Sequence, residues 1–201
     1  MTPLECMVER VEFAQSMTTD DGFLPTCLTM LLTIEIPPRK QQMQLNRNRW
    51  DEIISDQSIA DLPYRVETNC FGQLLMSPPA SGGHSSRQGD IAYRLQRKLG
   101  GRSLPECPIS TLDGVKVADV GWYSDSRFEQ VANQNVFEIA PEICTEVLSP
   151  SNSELEMRTK RHLYFEAGAE EVWLCDISGR MRYFSKTSPD QELSISPLCP
   201  D

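Results

Sequence analysis

The chain has 201 residues with a formal net charge of −10, 39% hydrophobic and 24% charged residues. These values are too apolar for a disordered chain and of the wrong sign for a protein that coats nucleic acid along its whole surface. Its length allows one domain with an appended segment, and large enough to bury a core without staples.

Residues 1 to about 40 hold the apolar run "CLTMLLTIEI" and end in the breaker "IPPRK", a pattern that reads as a strand or hairpin ahead of the main domain. The run is too short and too polar to span a membrane, and "MTPLECMVERVEF" lacks the basic and apolar regions of a secretory signal, so the expected location is the cytoplasm. The seven cysteines never approach metal-knuckle spacing and suit reduced thiols packed as small hydrophobes. "NRWDEIISD" (48–56) is a short helical pattern. Strands follow at 64–68 and 72–76, the loop "SPPASGG", and a helix from about 84 to 99 whose Ile91, Leu95 and Leu99 form a core stripe while Arg94, Arg97 and Lys98 lie off it. A proline-bounded connection then leads to a strand at 115–123. After a soft stretch with room for one short helix come a strand at 142–148 and the breaker "SPS". A helix from about 154 to 167 follows, capped by Asn152 or Ser153 and stopped by Gly168. Strands at "EVWLCDI" and "MRYFS" follow, and the tail has room for one edge strand. The divisions expected are an extension at 1–45, a main domain at 46–190 and a tail at 191–201.

Two strand acids carry the chemical interest. At period two, Glu146 shares a face with Cys144 and Leu148, and Asp119 shares one with Val117 and Gly121, so both carboxylates point where neighbours are apolar or small. A buried carboxylate needs a cation, a hydrogen-bond network or a metal. Two carboxylates on adjacent strands suit Mg²⁺, which takes one or two acids and completes its shell with water and substrate oxygens. Glu156, Lys160 and Tyr164 lie on one helical face directly after the Glu146 strand, so a lysine can lean back toward it and stabilise charge building up on a phosphate. Bland alternatives stand beside each assignment: Asp119 satisfied by water or Lys116 at a sheet edge, Glu146 paired with a core arginine, Lys160 paired with Glu156 on a solvated face. His84 and Gln88, one turn apart, could reach a common ligand.

The run "EVLSPSNSELEMRTKRHLYFEAGAEEVWLCD" resembles the signature of a bacterial family of putative restriction endonucleases, a branch of the PD-(D/E)XK nuclease superfamily. Glu146 to Ser151, Glu156, Lys160, Tyr164, Gly168, Trp173 and Asp176 fall on its pattern. "FGQLLMSPPASGGH" is similar to its upstream block, and "VADVGW" takes the place of its PD strand, with Ala118 where the family has proline. The resemblance spans about 62–185. It implies an α/β fold with a restriction-endonuclease-like core, a mixed central β-sheet flanked by helices in the order α-β-β-β-α-β. It also implies Asp119 and Glu146 as metal-binding acids and Lys160 as the motif lysine, moved onto the helix from the strand position that Leu148 fills here. Glu67 and His84 would be accessory. The implied activity is Mg²⁺-dependent hydrolysis of DNA with water as nucleophile, Mn²⁺ being a substitute, and a homodimer is expected where both strands are cut. A catalytically inactive nuclease-fold binding module is the alternative, and a plain structural protein with its acids locked by arginines a third.

Overall fold

The computed structural model describes residues 38–200, and the strand or hairpin expected within the first forty residues lies outside them apart from its last few positions. The chain opens with α1 (Arg39–Ser55) and a short α2 (Gln57–Ala60), followed by the hairpin β1 (Arg65–Thr68) and β2 (Leu74–Ser77). Next come α3 (Gly82–Leu99), β3 (Arg102–Thr111), β4 (Gly114–Tyr123), α4 (Asp125–Phe128) and β5 (Ile143–Val147). The chain continues through α5 (Glu154–Ala167), β6 (Glu171–Cys175), β7 (Met181–Ser185) and β8 (Ser188–Leu193). β3 to β8 form one six-stranded sheet in sequence order, parallel only between β5 and β6, while β1 and β2 pair apart from it. The α-β-β-β-α-β order is therefore α3-β3-β4-β5-α5-β6.

The expected connection after α3 is instead the ten-residue strand β3. It lies at the sheet edge, where Pro105 and Pro108 need donate nothing to an inner neighbour. Between them Glu106 takes φ 51, a left-handed value unusual for a side-chain-bearing residue. The helical pattern at 48–56 belongs to the longer α1, whose buried face is half amide, Gln42 and Asn46 beside Trp50 and Ile53. Gln42 donates to Asn46 and to the Cys70 carbonyl, and Asn46 donates to Ser110 and to the Thr111 carbonyl.

Two apolar layers sandwich the sheet. On one face Cys144, Val172 and Leu174 meet Met157, Tyr164 and Phe165 of α5, and on the other Ile143, Val147 and Trp173 meet Ile91 and Leu95 of α3. The strand faces thus follow the period-two pattern, with Ile143 and Val147 opposed to Cys144. α5 begins in a reciprocal capping box, Ser153 accepting from the Glu156 N–H and Glu156 from the Ser153 N–H, and ends at Gly168 in the left-handed region (φ 114). The five described cysteines are buried and form no disulfide, and burial pushes the Cys107 thiol up to about 12, far from a reactive thiolate.

Candidate active site

The β4–β5 ladder runs Trp122 to Ile143, Gly121 to Cys144 and Val120 to Thr145, and then stops. Asp119 and Glu146 are the next residues on each strand. In place of a ladder bond, the Val147 N–H donates to Asp119 Oδ2 at 2.6 Å. The fork between the strands therefore opens at the two acids, which are 1% and 4% exposed.

Each acid has its own cation. Asp119 Oδ1 lies 2.6 Å from Arg65 Nη1, accepts from Gln88 Nε2 at 3.1 Å and has His84 Nε2 at 3.1 Å. The His84 contact has close distance without hydrogen-bond alignment, so it adds little direct stabilisation. Arg65 is fixed by Glu106 Oε2 at 2.8 Å and by the Val117 carbonyl, and Glu106 also accepts from Gln88. Burial opposes its charge, but Asp119, Glu146 and Glu106 together raise its pKa above the ordinary guanidinium value.

On the other side, Glu146 Oε1 accepts from the Tyr164 hydroxyl at 2.5 Å and lies 3.5 Å from Lys160 Nζ. Lys160 Nζ also donates to Glu67 Oε1 at 2.8 Å, and Glu67 in turn accepts from the Val117 N–H. Burial pushes the Glu146 carboxyl up to about 7; Lys160 pulls it down, Asp119 pushes it up, and Arg65 and Glu67 add smaller opposed effects. Desolvation works against the Lys160 ammonium, yet Glu146 and Glu67 hold its pKa above the usual lysine value.

The structure therefore brings Asp119, Glu146, Lys160, Glu67 and His84 together at one fork. Neither expected local partner is used: Lys116 pairs with Asp113 at 2.9 Å rather than with Asp119, and Glu156 is committed to the capping box rather than to Lys160. Arg65 and Glu106 are the residues that the sequence reading left out. The one available signal was that Arg65 and Glu67, two apart on β1, share a face and so reach the same cluster. Other residues of the sequence pattern serve the scaffold: Trp173 packs edge-on against Tyr183, and Asp176 accepts from Ser178 and Arg180 in the turn before β7.

Among the described residues no group of three or more His, Cys, Asp or Glu side chains forms a ready cage for a metal ion. The carboxylate oxygens of Asp119 and Glu146 are nevertheless the hard donors that Mg²⁺ or Mn²⁺ takes, and a cation bound by two acids and water needs no third side chain. Glu146, destabilised as an anion where it sits, is relieved by any added positive charge.

A mixed sheet between two helices, with acids at a strand fork and a lysine from the next helix, belongs to the nuclease-like α/β class. A solved structure from Anabaena variabilis ATCC 29413, described as "a putative nuclease belonging to DUF820", shares the fold with a TM-score of 0.52 and 21% identity, covering 75% of this chain and 90% of the other. The chain belongs to the Uma2 family, whose model, described as "Putative restriction endonuclease", matches residues 56–193. Membership supports a nuclease-type function. No curated protein matches the chain. Among the described residues no helix is long and apolar enough to cross a membrane.

Proposed function

We propose that this protein hydrolyses phosphodiester bonds of DNA, with Asp119 and Glu146 holding Mg²⁺ or Mn²⁺ and with water as the nucleophile. The observation that carries this reading is the convergence of Asp119, Glu146 and Lys160, from β4, β5 and α5, where the β4–β5 ladder ends. When bound, the cation supplies charge neutralisation of the two acids and polarisation of a phosphoryl oxygen. Lys160, anchored by Glu67, presents an ammonium to charge developing on the phosphate. Gln88 and the Val147 N–H orient the Asp119 carboxylate, and the Tyr164 hydroxyl orients that of Glu146. Arg65 neutralises Asp119 in the metal-free protein and would be free to meet a substrate anion if a cation took its place. The protein acts in the cytoplasm, as a homodimer where both strands are cut.

A second reading, a binding module without catalysis, is favoured by one observation: Asp119 already has a full ion-pair partner in Arg65. Mg²⁺ and Mn²⁺ calorimetry on the wild type and on Glu146→Ala, with plasmid nicking followed in the same samples, separates the two. Binding and nicking that both vanish in the variant support hydrolysis. Behaviour independent of metal in both proteins overturns it in favour of the module.

A further inference from the structure

α3 leaves the fork with a face that the chemistry above does not use. His84 and Gln88 in its first half reach Asp119, and the helix then continues to Leu99 with Tyr93, Arg94 and Arg97 exposed. Two depressions lie along it. The first, about 490 Å³, is lined by His84, Arg87 and Asp90 together with Val147 to Pro150 at the end of β5. The second, about 670 Å³, is lined by Arg87, Asp90, Tyr93, Arg94, Arg97 and Met181 among others. Arg87 and Asp90 line both, so the two depressions adjoin along the helix, and the first reaches His84 and Val147, which both contact Asp119. From His84 to Arg97 the helix rises about 20 Å.

The groove is basic in a chain of net charge −10. Asp90 is the one acid lining it, against Arg87, Arg94 and Arg97. Among the described residues neither Arg94 nor Arg97 forms an ion pair with a carboxylate, and Arg97 instead meets the Tyr93 hydroxyl at 3.5 Å and lies 6.0 Å from its ring centre. Arg87 is held at the junction of the two depressions by the turn before β7. A Cβ placed on Gly179 would come within 2.6 Å of Arg87 Nη1, so the guanidinium rests against that backbone. The floor is apolar, formed by Ile91, Cys175 and Met181.

Positive side chains spaced along a helix match a phosphodiester backbone, while an exposed tyrosine and an apolar floor match unpaired bases that can stack, surfaces a closed duplex hides. We propose that this face of α3, from Arg87 to Arg97, is a track for one single strand of nucleic acid leading to the Asp119–Glu146 fork. The proposal rests on the reading of that fork as a nuclease centre.

The test uses the full chain and a fluorescent twelve-nucleotide oligothymidylate, with anisotropy measured in EDTA across a salt series. Charge reversal in Arg94→Glu/Arg97→Glu is expected to weaken binding by roughly tenfold or more and to flatten the salt dependence by about 1.4 in log–log slope, the value for two lost contacts to a single strand. Tyr93→Ala is expected to weaken binding with the slope unchanged, which loss of stacking alone produces. Equal affinity in wild type and the double variant overturns the track, as does tighter binding of a blunt duplex of equal length. All substituted side chains are exposed, and circular dichroism verifies folding. Plasmid nicking and cleavage of the same oligonucleotide, run in parallel with Mg²⁺, separate the two readings: binding effects as expected without cleavage of either substrate support the track and refute catalysis. Nicking by a protein whose oligonucleotide affinity ignores the substitutions refutes the track alone.

Discussion

Replacing Lys160 by methionine removes the cation between Glu67 and Glu146 while keeping most of the side-chain volume. The ammonium lies 2.8 Å from one carboxylate and 3.5 Å from the other, and its side chain is 13% exposed against 16% for Glu67 and 6% for Glu146. Breaking a buried pair by removing one partner costs about 3–5 kcal/mol. Glu146 limits that cost, because a carboxyl already at about 7 takes up a proton easily near neutral pH, so the expected loss is about 2–3 kcal/mol. At about 2–4 °C per kcal/mol for a domain of this size, the melting temperature falls by roughly 4–12 °C. The effect on chemistry is larger in kind: loss of one preorganised charge facing the transition state lowers the nicking rate by about 10²–10³. Thermal melts followed by Mg²⁺-dependent nicking at a temperature below the variant's melting transition measure both. A folded Lys160→Met protein that nicks within about threefold of wild type would falsify the assignment of this lysine to the reaction.

Three further outcomes follow from the same geometry. Arg65→Met leaves Asp119 with only the Val147 N–H, Gln88 and the poorly aligned His84, so the metal-free protein should lose about 3 kcal/mol while Mg²⁺ raises its melting temperature more than that of wild type; equal Mg²⁺ shifts in calorimetric scans would remove Arg65 as a competitor for the acid. Because the folded protein holds the Glu146 proton to about 7 against an ordinary 4.5, it binds more protons than the unfolded chain in that window, and metal-free stability should fall as pH rises from about 5 to 7. Urea midpoints in EDTA should show that slope and Glu146→Gln should flatten it, whereas identical slopes in the two proteins would contradict it. Glu171, 2% exposed, accepts from the Trp173 indole, the Ser196 hydroxyl and the Leu198 N–H, so Glu171→Ala should cost about 3 kcal/mol and expose the segment after 193 to proteolysis; an intact tail under limited digestion would show that other contacts anchor it.

What the sequence reveals and conceals here follows from the range of the interactions involved. The burial of Asp119 and Glu146 is visible because alternation along β4 and β5 is local, and the start of α5 is visible because a capping box needs only four residues. The first half of α1, ahead of the pattern at 48–56, escapes a search for apolar periodicity because its buried residues are the amides Gln42 and Asn46, whose partners Cys70, Ser110 and Thr111 lie far away in sequence. β3 escapes because Pro105 and Pro108 argue against a strand, and only its place at the sheet edge makes them tolerable. Arg65 is only half legible: sharing a face of β1 with Glu67 indicates that the two reach one cluster, but no local pattern names Asp119 as its partner.

Lys160 lies between these cases, and its partner could have been inferred. A lysine four residues after Glu156 has an i,i+4 partner on paper, but the same glutamate is the last residue of the "SELE" start that caps α5. Glu156 cannot both fold back onto the Ser153 N–H and reach down the helix to Lys160. Once the cap is granted, the lysine has no acid left on its own face within a turn upstream, and must find one on another element. Only partners distant in the chain satisfy that condition, and the two it finds, Glu67 on the hairpin and Glu146 at the fork, place its charge where the strands part. A helix-capping signal therefore bears on the site as well as on the helix boundary, because by occupying the local acid it directs the cation inward.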